Sequence, residues 1–211
     1  MNQLKKSVLR SKTLIENHTH IKKYGSNMEI TQNLSCPLIN LLEQYLPVDL
    51  HEQECKKRML ALIKEHKDCF ERSLETGHFT GSAWLLNQDE TKALLTHHTK
   101  LNLWLQLGGH CDGDKDVLAV ALKEAQEESG IEQIEAIDTT IFDIDIHFFP
   151  QFKQQKKHYH YDVRFLLRTI NSDEYVQNHE SKELRWISKD KKELPTKERS
   201  VTRMFDKWIS R

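Results

Sequence analysis

The stretch GGHCDGDKDVLAVALKEAQEESGI, residues 108–131, decides how the chain is read. Glycine is scarce, with seven in 211 residues, yet Gly108 and Gly109 stand together, Asp112, Asp114 and Asp116 follow, and the run ends in Glu124, Glu127 and Glu128. Val117, Leu118, Ala121, Leu122 and Ala125 recur every three or four residues, which predicts an amphipathic helix over 116–129, ended by Gly130. At about 100° per residue, Glu124 and Glu128 lie one turn apart with Glu127 beside them, so three carboxylates share one face. Crowded carboxylates repel unless a cation lies among them. Such oxygen donors suit a hard divalent ion, and magnesium commonly combines a few carboxylates with water and phosphate oxygens. Alone, a glutamate cluster on an exposed helix is more often a solvated face. Here it follows a strand and a glycine turn, where the backbone can approach an ion or a phosphate closely, and the apolar side of the helix would dock it rigidly.

Working outward, LNLWLQL (101–107) reads as the strand that enters Gly108 and Gly109. HFTGSAWLLN (78–87), the turn NQDE and TKALLTHH (91–98) read as a hairpin. Upstream, helical spacing runs from Pro37 to Leu46 and stops at Pro47; a second helix is expected over 50–70, with Cys55, Met59, Leu62 and Ile63 on one side. Downstream, strands are expected at 137–148, 158–168 and 183–188, with PQFKQQKK linking the first two. A C-terminal helix from about Lys197 is expected to bury Val201, Met204, Phe205, Trp208 and Ile209. The division is a basic, flexible leader over 1–36, a helical extension over 37–76 and an α/β domain over 77–211, a mixed sheet with helices packed on it.

Thirty-one basic and 32 acidic residues nearly cancel, so bulk charge points to neither nucleic acid nor an anionic membrane. Before Met28, Lys5, Lys6, Arg10, Lys12, Lys22 and Lys23 face only Glu16, which reads as a frayed tail or a translation start upstream of Met28, with a basic arm for an acidic partner as the lesser reading. No run approaches the roughly 18 apolar residues of a membrane span, and no secretory leader is visible, so a soluble, cytoplasmic protein is expected. Cys36, Cys55, Cys69 and Cys111 are scattered and form no C-x-x-C pair, which argues for reduced thiols rather than a disulfide framework or zinc cluster.

Residues 109–131 resemble the signature of the Nudix hydrolases, G-x5-E-x7-R-E-U-x-E-E-x-G-U with U aliphatic. Gly109 starts the match, and Lys123, Glu124, Ala125, Glu127, Glu128, Gly130 and Ile131 complete it without a gap. The resemblance extends to about residues 77–211 through the hairpin, HYHYDVRFLL and SKELRWISKD. It implies an α/β/α sandwich around a mixed sheet, and hydrolysis of a nucleoside diphosphate linked to another group with magnesium or manganese. By the same resemblance the metal ligands are Gly109, through its carbonyl, Glu124, Glu127 and Glu128. Lys123 replaces the motif's arginine, keeping charge but not the planar fork. Lys115 stands at the first glutamate and reverses its charge; Asp112, Asp114 and Asp116 around it are candidates for a substitute carboxylate, and a contact of Lys115 with a substrate phosphate is the other reading. Three readings stay open: a pyrophosphohydrolase on a nucleotide sugar, dinucleotide or nucleoside triphosphate, a decayed Nudix module that binds nucleotide without turnover, and a structural protein with solvated glutamates.

The reaction also needs a general base, and Glu183 in SKELRW, with Glu180 behind it, is the candidate, its alternative being a strand-edge charge. His158 and His160, two apart on a strand, face the same way and could bind metal or substrate, although no third ligand is evident and a polar sheet face explains them equally. His110 and Cys111 lie within the signature loop. The cysteine motif of isopentenyl diphosphate isomerases is absent. Trp104, Trp186 and Trp208 read as core. A homodimer through the apolar helix 37–46 is one option, and that helix capping the domain is the other.

Overall fold

The computed structural model describes residues 36–149, 151, 156–179 and 181–211. The expected leader, apart from Cys36, lies outside these residues, as do Glu180 and most of the 150–157 linker. Pro37 opens α1 (Pro37–Gln44) in the first turn, where its missing N–H costs nothing. Asp49 caps α2 (Leu50–Glu65) by accepting from the Glu52 N–H at 2.8 Å. α2 stops short of Phe70 because 67–70 form turns that deliver Cys69 and Phe70 into the core. Leu38 and Leu42 of α1 are buried in that same core together with Cys55, Met59 and Leu62, so the extension caps the domain.

The expected hairpin is β1 (Gly77–Leu86) and β2 (Lys92–His98), paired antiparallel at Leu85 with Leu94 and Leu86 with Ala93. The expected strand over 101–107 is instead two. β3 (Trp104–Leu105) pairs with β2, and β4 (Leu107–His110) pairs with β1. The chain crosses between them at Gln106, whose amide donates to Asp162 at 3.0 Å. α3 (Val117–Ser129) starts at its Asp116 cap and ends at Gly130, whose φ of 69° lies in the left-handed region that lacks a Cβ penalty. The expected strand over 137–148 begins only at β6 (Asp143–Phe149); a separate short strand, β5 (Ile134–Ala136), precedes it, and between them lies a turn in which the Asp138 carboxylate accepts from the Thr140 N–H at 2.8 Å. β7 (His158–Thr169), β8 (Ser181–Ser188) and α4 (Arg199–Ile209) follow, the last leaving Ile209 exposed, against expectation, while Val201, Met204, Phe205 and Trp208 are buried.

Among the described residues these strands form one eight-stranded mixed sheet with the path β3-β2-β1-β7-β5, on which β4 adds to β1, β6 to β7 and β8 to β2. β1 and β7 run parallel in register from Gly77 opposite Tyr159 to Leu86 opposite Arg168. Their odd-numbered residues, including Phe79, Ala83, Leu85, Val163 and Phe165, pack with Val117, Val120, Ala121 and Ala125 of α3. Their even-numbered residues face the other way, where Trp84, Leu86 and Leu166 pack against α4. The result is the expected α/β/α sandwich.

Beyond that apolar end the even face is ionic. Arg164, fully buried, donates to Asp143 and Asp162 at 2.7 Å each. From α4, Arg203 donates to Asp143 at 2.8 and 2.9 Å and to Asp145 at 3.0 Å, and Lys207 lies 2.7 Å from Asp143 and 2.6 Å from Glu52 of α2. Burial alone would raise the Asp145 and Asp143 carboxyls, but the cations around them hold both below the usual range. Their contribution to stability is therefore complete above pH about 4 and lost as pH falls through the depressed folded values. Arg164→Met leaves buried carboxylates with too little positive charge and is expected to cost about 3–5 kcal/mol in chemical denaturation; an unchanged midpoint contradicts this account of the sheet face.

Candidate active site

Each aspartate of the loop holds a structural position. Asp116 caps α3 by accepting from the Ala119 N–H at 3.1 Å, Asp114 accepts from the Asp116 N–H at 2.9 Å, and Asp112 pairs with Arg72. None of these contacts involves Lys115, which is exposed. The loop is thus fixed by local contacts in which all three carboxylates take part.

The α3 glutamates occupy three different environments. Glu128 is buried and accepts from the Gly108 N–H at 3.3 Å. Glu124 presses its carboxylate against Gly109 so closely that a Cβ at 109 would collide with it. Glu127 is exposed at the rim, where Lys123 lies 3.5 Å from it and 3.6 Å from Glu124. The Glu124 and Glu127 carboxylates hold the Lys123 ammonium above its ordinary pKa. Lys123 therefore clasps two carboxylates, as a point charge rather than a fork. Among the described residues the three glutamates do not gather as donors within 4.8 Å of one another. Gly109, Glu124 and Glu128 form the inner group, and Glu127 borders it.

Glu183 is placed elsewhere. Its neighbour Leu184 packs in the core shared with α3, so by strand alternation Glu183 points to the other face. There it accepts from Arg185 at 2.6 Å, and Arg185 lies over the Trp104 ring at 4.7 Å, itself stacked on His97 at 5.1 Å. Trp104 is half-buried between those two partners, Trp208 is core, and Trp186 donates to the Asp173 carbonyl at 3.0 Å. Cys111 is buried, and burial followed by the nearby carboxylates pushes its thiol well above the ordinary range, which makes it inert. All four cysteines are free.

The sequence pair His158 and His160 does acquire further imidazoles. His78 of β1 and His110 of β4 point to the same sheet face, His78 opposite His160 in the parallel ladder and His110 opposite Thr80. The signal for His78 lies in sequence parity, since even residues of both strands share a face, but the parallel register had to be known first. Burial is the main cause that lowers His78 and His110 to about 4 and His160 to about 2, with neighbouring charges adding to it.

A family model, the NUDIX domain, matches residues 78–209, well over half of the chain. The class is that of hydrolases acting on phosphoric anhydride bonds. The chain belongs to the Nudix family. No curated protein matches it. Similar solved structures include a Caenorhabditis elegans Ap4A hydrolase binary complex (18% identity, 63% of this chain and 95% of that one, TM-score 0.47). A UDP-X diphosphatase (16%, 82% and 91%, 0.46) and a MutT protein from Methanosarcina mazei Go1 (18%, 65% and 96%, 0.45) are others.

Two measurements check this geometry. Gly109→Ala should destabilise the fold by about 1–3 kcal/mol through the clash with Glu124, and Glu124→Ala in the same chain should restore part of the loss; strictly additive effects would mean that the two do not touch. Because the folded pKa values of His78, His110 and His160 lie below the unfolded value of about 6.5, the chain binds more protons when unfolded, so stability should be level above pH 6.5 and fall from there toward pH 4. Urea midpoints that stay flat across that window would contradict the buried, neutral assignment.

Proposed function

We propose that this chain hydrolyses the pyrophosphate bond of a nucleoside diphosphate linked to a further moiety, in a nucleotide sugar, a dinucleotide or a nucleoside triphosphate, with magnesium or manganese. The observation that supports this best is the contact of the Glu124 carboxylate with Gly109, beside the Glu128 contact with Gly108. It puts two α3 carboxylates against the backbone of the glycine pair, and hard oxygen donors of that type suit magnesium or manganese. Gly109, Glu124 and Glu128 would hold the ion, with Glu127 completing the shell from the rim. A divalent ion held there would supply positive charge against the pyrophosphate and acidify a water for attack on phosphorus.

Lys123 orients Glu124 and Glu127 through its two contacts. For the base, the Glu183–Arg185 pair on the opposite face favours an α3 carboxylate, Glu127 being the one that reaches solvent. The substrate is small, and no nucleic acid or membrane partner is invoked; no helix among the described residues is long and apolar enough to cross a membrane. Four free thiols suit the cytoplasm. A homodimer, if formed, would use the exposed Leu46, Val48 and Leu50 rather than the buried stripe of α1.

One observation favours a second reading, a nucleotide-binding module without turnover. Lys115 replaces the first motif glutamate, and Asp112, Asp114 and Asp116 each take part in an ion pair or hydrogen bond that shapes the loop. The two readings separate in a screen of nucleoside diphosphate derivatives and triphosphates with magnesium or manganese, following nucleotide release. Glu127→Gln with Glu128→Gln should lower turnover by about 10²–10⁴-fold, while Glu183→Gln leaves it within a few-fold. Binding without release in the parent would move the assignment to the module, and loss of turnover in Glu183→Gln would return the base to that residue.

A further inference from the structure

Four imidazoles converge on the even face of the sheet, His78 from β1, His110 from β4, and His158 and His160 from β7. His158 Nε2 and His160 Nε2 are 2.9 Å apart, and His110 Nε2 is 3.3 Å from His160 Nε2. One ring nitrogen each of His78, His158 and His160 falls within 4.8 Å of the others. Two of these rings are almost sealed from solvent, His78 at 2% and His158 at 7% exposure. Both nitrogens of His78 are buried and neither meets a hydrogen-bond partner in good geometry, the Leu74 backbone offering only a weak one, which is an unusual state for an imidazole.

The tautomer of one member can be deduced. His158 Nδ1 is 2.8 Å from the Lys156 carbonyl, which can only accept, so Nδ1 carries the proton. In a neutral ring Nε2 then holds a lone pair, and it is this atom that points at His160. A backbone carbonyl that fixes one imidazole nitrogen while the other points inward is the usual support of a metal-ligating histidine. The spacing also fits. Imidazoles bound at about 2.0–2.1 Å in a tetrahedral shell have nitrogens about 3.3 Å apart. Phe149 closes the site against the His160 ring, with centroids 4.0 Å apart, and keeps it apolar. A packed, metal-free cluster of histidines accounts for the short contacts but leaves the buried His78 ring with no more than the weak Leu74 backbone contact.

We propose that His78, His158 and His160, with His110 as a fourth donor, form a site for a first-row transition dication of the zinc class, distinct from the carboxylate site on α3. All-imidazole donors select such ions over magnesium. The two sites lie on opposite faces of β4, since the 109 position faces Glu124 while His110 faces the imidazoles. The ion would tie β1, β4 and β7 together at the base of the glycine loop, a structural role that does not depend on the hydrolase reading.

The test uses the full, untagged chain stripped of metal, titrated with Zn²⁺ against a chromophoric chelator and separately with Co²⁺ while its visible absorption is recorded. The parent should bind one equivalent tightly in the presence of excess magnesium, show the intense Co²⁺ bands of a four-coordinate nitrogen site, and gain thermal stability with Zn²⁺. His158→Gln with His160→Gln should lose at least tenfold in affinity, together with the bands, while Glu124→Gln keeps both. His160→Asn alone provides a milder version should the double variant fold poorly. Equal Zn²⁺ binding and an unchanged Co²⁺ spectrum in the histidine variants would overturn the site, as would a parent that binds no Zn²⁺.

Discussion

The parallel pairing of β1 with β7 is the constraint on which the rest depends. Residues alternate across a sheet with a period of two, so a slip of one residue would exchange its two faces. In the observed register Phe79, Ala83, Leu85, Val163, Phe165 and Leu167 turn to the α3 side. His78, Thr80, Ser82, His158, His160, Asp162 and Arg164 turn to the other. The register is held on the polar side by Asp162, which accepts from the Thr80 and Ser82 hydroxyls of β1 at 2.9 and 2.7 Å and from Arg164 at 2.7 Å. A slipped register would place charged groups against α3, at the desolvation cost of unpaired buried ions.

From this constraint follows the position of the loop. β4 adds to β1 opposite Thr80–Ala83, which fixes Gly108 and Gly109 over the helix that begins eight residues later. The apolar side of α3 is anchored by Val117, Val120, Ala121 and Ala125 in the core, so Glu124 and Glu128 meet the glycines without freedom to splay apart. A rigid helix that presents carboxylates to a fixed backbone is the preorganisation a hydrolytic site needs. The ionic layer behind the sheet, with Arg164, Arg203 and Lys207 facing Glu52, Asp143, Asp145 and Asp162, joins α2, α4 and β6 to the same frame.

Much of this was legible from residue order. The 3.6-residue period of 117–125 and the terminal Gly130 mark α3 locally, and the signature spacing marks its glutamates. What was not legible is long-range. The break at Gln106 depends on a strand changing partners, the late start of β6 on an Asp138 turn inside an apolar run, and the third histidine on a ladder that pairs residues 82 positions apart. The face of Glu183 likewise follows from which of its neighbours enters the core, and apolar content alone does not decide that between Leu184 and Trp186 on one side and Ile187 on the other.

The central claim is that the glycine loop and α3 create a divalent-metal site that recognises pyrophosphate. It is tested most directly by following the electron paramagnetic resonance of Mn²⁺ added to the metal-stripped chain, with and without methylenebisphosphonate as an uncleavable pyrophosphate. If the claim holds, Mn²⁺ binds the parent, the bisphosphonate tightens it by at least about tenfold through reciprocal coupling, and Glu124→Gln abolishes both effects. Mn²⁺ affinity indifferent to the bisphosphonate, or unchanged in Glu124→Gln, would contradict it.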